Sequence, residues 1–131
     1  MKILIVDDHE GMRQELQSIL ARHGHLANAV GSAGEAAPLI ESGEYEVVLL
    51  DYRMPEHDGL WLMKNVGLPP RTKVLLITAH VDRRVIDEMF RAGAVGYIIK
   101  PFDEADLLRH IEFHSGGFQE PRMNIPDKKA M

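Results

Sequence analysis

Four short apolar runs, each ending in a polar residue, constrain this chain more than any other feature: ILIVDD at 3–8, VVLLD at 47–51, VLLIT at 74–78 and YIIK at 97–100. Consecutive rather than alternating apolar residues suit strands covered on both faces, as in a parallel sheet packed between helices. Ligands of open α/β sheets lie beyond the carboxyl ends of the strands. Asp7, Asp8, Asp51, Thr78 and Lys100 are therefore candidates for one shared pocket. Three carboxylates, a hydroxyl and an ammonium form a set suited to a divalent cation and a phosphoryl group.

The segments between the runs carry helical signals. Met12, Leu16, Ile19 and Leu20 fall at helical spacing ahead of Gly24. A weaker strand at about 26–30 leads to Ser32-Ala-Gly-Glu35, a capping-box pattern that opens a second helix. Pro38 is expected to kink that helix or delay its start, because proline lacks an amide donor and crowds the carbonyl four residues back. The stretch from Asp51 to Gly59 reads as a loop before a short helix over 60–66. Asp82 can cap a helix whose face carries Val85, Ile86, Met89 and Phe90, and Asp103 one carrying Leu107, Leu108 and Ile111. Five-fold alternation of strand and helix predicts an α/β fold: a doubly wound, five-stranded parallel sheet with helices on both faces. Residues 1–114 account for this domain, and 115–131, with paired glycines and two prolines, reads as a flexible tail or the start of a linker.

Composition removes several function classes. At 131 residues and 45% hydrophobic, the chain can supply one core. The absence of cysteine excludes a disulfide scaffold and thiolate-bound zinc. A formal charge of -5 argues against a sequence-independent grip on nucleic acid, which needs a basic patch. No apolar run approaches the roughly 18 residues of a membrane span, and the amino terminus turns acidic too soon for a signal peptide. A soluble, cytoplasmic protein without membrane contact is expected. The seven histidines lack recognised metal-ligand spacings and read as structural.

Adjacent carboxylates such as Asp7-Asp8 repel unless a cation or protons offset their charge, whereas a helix cap would account for Asp8 alone. Magnesium, which takes oxygen ligands in near-octahedral geometry, suits the pair. Asp51 can attack phosphorus to form an aspartyl phosphate while a metal neutralises its charge, or can serve as a further ligand or cap. Thr78 can donate a hydrogen bond to a phosphoryl oxygen, and Lys100 offers a point charge. Pro101 admits a cis peptide after Lys100.

In register, these elements resemble the receiver domain of two-component response regulators, over about residues 1–114. The matching set is Asp7-Asp8, Asp51 in LLDYRMP, the MPxxDG segment from Met54 to Gly59, Thr78 in LITA, and Lys100-Pro101-Phe102. The resemblance implies a flavodoxin-like fold with strand order 2-1-3-4-5, and phosphoryl transfer to Asp51 from a phosphohistidine on a sensor kinase or phosphotransfer protein. It implies direct magnesium ligation by Asp8, Asp51 and the backbone carbonyl of Arg53, with Asp7 acting through water. Tyr97 takes the place of the family's switch aromatic beside the switch hydroxyl of Thr78. Arg53 and His80 occupy the positions that tune hydrolysis of the phosphoryl group, and Ala79 is suitably small beside the pocket.

The leading expectation is a phosphorylation-dependent binding module whose chemistry is confined to its own Asp51. Its output would leave through helix four, strand five and helix five, toward a downstream protein, a detached effector domain or a second copy. Arg83, Arg84, Asp87, Glu88, Arg91, Glu104 and Arg109 are the charges expected there. The competing class is a magnesium-dependent phosphohydrolase resembling the haloacid dehalogenases, which usually carry a second acid where this chain has Arg53.

Overall fold

The computed structural model describes residues 1–79 and 82–115. The expected tail from 116 onward and His80 lie outside the described residues. Five strands and five helices alternate: β1 Lys2–Val6, α1 Glu10–Arg22, β2 Leu26–Val30, α2 Ala33–Glu41, β3 Val47–Asp51, α3 Gly59–Asn65, β4 Lys73–Thr78, α4 Arg83–Arg91, β5 Gly96–Ile99 and α5 Glu104–His114. The strands form one parallel sheet in the order β2-β1-β3-β4-β5.

Alternation of side chains along each strand divides the core in two. Leu4, Val6, Val48, Leu50, Val74 and Leu76 pack with Ala36 and Ile40 of α2, Leu62 and Met63 of α3, and Met89 of α4. On the opposite face Ile3, Ile5, Val47, Leu49, Leu75 and Ile77 meet Leu16, Ile19 and Leu20 of α1 and Leu107 and Ile111 of α5. Strands β1, β3 and β4 are buried on both faces from Ile3, Val47 and Val74 onward, as their apolar runs require.

Strand β5 departs from that expectation. Its burial alternates, with Tyr97 and Ile99 exposed, as its position at the edge of the sheet allows. Helix α2 begins directly after its cap Ser32, whose hydroxyl accepts from the Glu35 amide, so of the two expected effects of Pro38 the delayed start does not occur. Pro38 lies inside the helix, where it leaves the Gly34 carbonyl without the usual amide partner. The Glu35 carboxylate reaches back one position beyond the cap, accepting from the Gly31 amide. Asp82 and Asp103 cap α4 and α5 as expected, and Asp58 caps α3.

Candidate functional site

The carboxyl ends of β1, β3, β4 and β5 bring the predicted polar residues to one edge of the sheet. Pairing of β1 with β3 sets Val6 beside Leu50, so Asp7 and Asp51 emerge from adjacent strands. Asp7, Asp8 and Asp51 each offer a carboxylate oxygen within 4.8 Å of the others. Asp7 is buried and Asp8 exposed, while Asp51 is 9% exposed. Lys100 enters from the end of β5, its Nζ 3.3 Å from Asp7 Oδ2 and 3.8 Å from Asp51 Oδ1. The Lys100-Pro101 peptide is cis. Thr78 is buried at the end of β4, and its carbonyl accepts from the Lys100 amide at 2.8 Å, which ties the last residues of β4 and β5 together.

The two acids of β1 are held differently. Asp7 Oδ1 accepts from the His9 amide at 2.9 Å while Oδ2 faces Lys100, so both its oxygens already meet protein donors. Asp8 is available to a ligand. It does not cap α1, because His9 does so through Nδ1, 3.1 Å from the Met12 amide. Capping of α1 therefore does not account for Asp8.

Burial pushes the Asp51 carboxyl up from 3.8 to about 6; Lys100 opposes that rise, Asp7 and Asp8 add to it, and the Arg53 amide, by hydrogen bonding, opposes it. The site therefore carries more negative charge than one ammonium offsets. Three hard oxygen donors around one opening suit magnesium or calcium rather than a soft metal. Asp8, Tyr52, Arg53, Met54, Pro55 and Asp58 line the opening.

The loop after β3 is pinned close to Asp51. The Gly59 amide donates to the Tyr52 carbonyl at 2.8 Å. A Cβ on Gly59 would lie 3.0 Å from the Asp51 carbonyl oxygen and 3.1 Å from the Tyr52 Cα, so only glycine lets α3 approach this closely. His57 in the same loop stacks on Trp61, with ring centroids 3.7 Å apart at 11°. Tyr97 lies away from the acids, 38% exposed, with its ring edge against Phe90 at 6.1 Å.

Two charges expected on the output face are already paired. Glu104 meets Arg22 and His23 at the end of α1, each at 2.7 Å, and Arg109 pairs with Asp106 one turn away. Arg83, Arg84, Asp87 and Arg91 are exposed along α4. Sequence reasoning missed His9 as a cap and Arg13, whose guanidinium donates to the Asp7 carbonyl at 2.8 Å. A polar residue in the first turns of an amphipathic helix carries no signal for such a contact.

Comparison with known proteins places this geometry. The family model described as the response regulator receiver domain matches residues 3–112. Protein PetR of Rhodobacter capsulatus is 39% identical over 109 residues, 83% of this chain and 46% of that protein, so the chain spans under half of its length. Chemotaxis protein CheY-3 of Vibrio cholerae is 37% identical over 116 residues, 86% of this chain and 89% of that protein. A CheY-like receiver domain protein of Methanospirillum hungatei JF-1 superimposes with a TM-score of 0.82 at 30% identity, covering 87% of this chain and 92% of that one.

Proposed function

This chain belongs to the receiver-domain family of two-component response regulators, and from that membership we propose that Asp51 is its phosphoacceptor. The observation that carries the assignment is the Asp51 carboxylate at the end of β3, grouped with two further acids and 3.8 Å from the only ammonium that reaches them among the described residues. In this reading the domain occupies residues 1–114, with 115–131 as a tail or linker.

A carboxylate oxygen of Asp51 attacks phosphorus of a phosphohistidine on a sensor histidine kinase or phosphotransfer protein. The P–O bond forms as the P–N bond breaks, and the electron pair leaves with the imidazole, which takes up a proton. Asp8, Asp51 and the Arg53 carbonyl would hold magnesium, and Asp7 would act on it through water. The metal's contribution is neutralisation of charge on the phosphoryl oxygens. Lys100 supplies a second positive charge to those oxygens, and Thr78 a hydroxyl donor. The phosphoryl group is later lost to water slowly, without an external substrate.

Tyr97 is the readout. When Thr78 turns toward the phosphoryl oxygens, it vacates space beneath β5 that the exposed Tyr97 ring can enter, reshaping the surface of α4, β5 and α5. That surface then binds a downstream protein, a detached effector domain or a second copy of the chain; nucleic acid and membrane are not among the proposed partners. The exchange takes place in the cytoplasm.

Incubation with magnesium and acetyl phosphate tests the reading. One phosphoryl group per chain, absent from Asp51→Asn, is the expected outcome. Continuous release of many phosphates per chain from phosphate esters would instead establish a phosphohydrolase.

A further inference from the structure

The guanidinium of Arg13 is built into the acid site from outside it. Arg13 lies in the second turn of α1, and its Nη1 reaches back past the helix start to the Asp7 backbone carbonyl at 2.8 Å. Gly31, just after β2, makes room for it: a Cβ there would stand 2.9 Å from the same Nη1 and 3.5 Å from Cζ. Three elements, β1, α1 and the turn after β2, thus converge on one side chain.

The carbonyl that Arg13 holds belongs to the peptide joining Asp7 to Asp8. That peptide is planar, so restraining its oxygen also restrains its amide and the Asp8 Cα from which the side chain departs. Asp7 is separately restrained through both carboxylate oxygens. Asp8 has no such restraint on its own carboxylate among the hydrogen bonds of the described residues, and its aim depends on the backbone beneath it.

We propose that Arg13 is a positioning residue for divalent-cation selectivity, holding the Asp7-Asp8 peptide so that Asp8 meets the geometry of magnesium in preference to calcium. The proposal rests on the reading of Asp8 and Asp51 as metal ligands. Magnesium demands near-ideal octahedral geometry, whereas calcium accepts a looser shell of more ligands at longer distances. A loosened peptide therefore costs magnesium more than calcium. A guanidinium acting only by charge would have the opposite sign, since its removal would strengthen binding of both cations.

Calorimetric titration of the full chain with magnesium and with calcium tests this, in the natural sequence, Arg13→Met, Gly31→Ala and Asp8→Ala. Arg13→Met removes both the donor and the charge; Gly31→Ala keeps the charge but displaces the flexible end of the guanidinium. Both are expected to weaken magnesium binding about tenfold, as removal of outer-shell partners typically does, with a smaller loss for calcium. Unchanged magnesium affinity in both variants, a parallel loss of both cations, or tighter binding by Arg13→Met would overturn the proposal. If Asp8→Ala abolishes binding while the two variants bind normally, the metal site stands and only the role of Arg13 falls. If the natural chain binds neither cation, the metal site falls and this proposal with it.

Discussion

Lys100 Nζ lies 3.3 Å from Asp7 Oδ2, although 93 positions separate the two residues and two strands stand between those that carry them. The same ammonium is 3.8 Å from Asp51. In the absence of a phosphoryl group, Lys100 is thus shared between a buried acid and the proposed acceptor, and sits nearer the former. Arrival of three phosphoryl oxygens at Asp51 would compete for it, drawing the end of β5 toward β3.

That sharing sets the first prediction. Lys100 opposes the rise in the Asp51 proton affinity that burial produces. Lys100→Met is expected to push the Asp51 carboxyl above its present value of about 6. Carbon-13 NMR titration of the carboxyl measures it, and a midpoint moved downward or unmoved would contradict the electrostatic role.

Asp51→Asn is expected to stabilise the metal-free protein at neutral pH. The folded state raises the Asp51 carboxyl from 3.8 to about 6 and so binds its proton more tightly than the unfolded chain does. Its contribution is fully present below pH 3.8 and is lost as pH rises through about 6, above which a buried ionised carboxylate remains. The asparagine variant should gain about 1–3 kcal/mol at pH 7–8 relative to the natural sequence, with the difference shrinking toward pH 4. Urea unfolding in chelator, repeated across pH, checks this; a difference independent of pH would remove the linkage.

Asp8→Ala is expected to lose magnesium binding, because Asp8 is the exposed member of the acid group and does not cap α1. Calorimetry provides the readout. Retention of affinity within about twofold, worth roughly 0.4 kcal/mol, would show that Asp8 is not a ligand.

Thr78→Ala is expected to accept phosphate yet respond weakly at Tyr97. Hydrogen exchange with and without beryllofluoride, a phosphoryl mimic, should change over 82–109 in the natural chain and much less in the variant. Equal responses would detach Thr78 from the switch, and changes confined to α1 and α2 would displace the output from α4, β5 and α5.

Much of this arrangement was legible because burial on both faces forces an uninterrupted apolar strand. Where that condition holds, in β1, β3 and β4, the last apolar residue of each run locates Asp7, Asp51 and Thr78 at one sheet edge. It does not hold in β5: YII reads like the other runs, yet its edge position leaves Tyr97 and Ile99 exposed. Contacts between long polar side chains were not legible at all. Glu104 joins Arg22 and His23 across more than 80 positions, and Arg13 fills the space left by Gly31. Neither follows from periodicity or capping patterns, which record only local neighbours.

The most direct test of the central claim is mass spectrometry of the chain after exposure to acetyl phosphate and magnesium, comparing the natural sequence with Asp51→Asn. A single phosphoryl group, labile to base and to hydroxylamine, mapping to the peptide that holds Asp51 and absent from the variant, is the predicted result. Undiminished phosphate on Asp51→Asn would contradict the account.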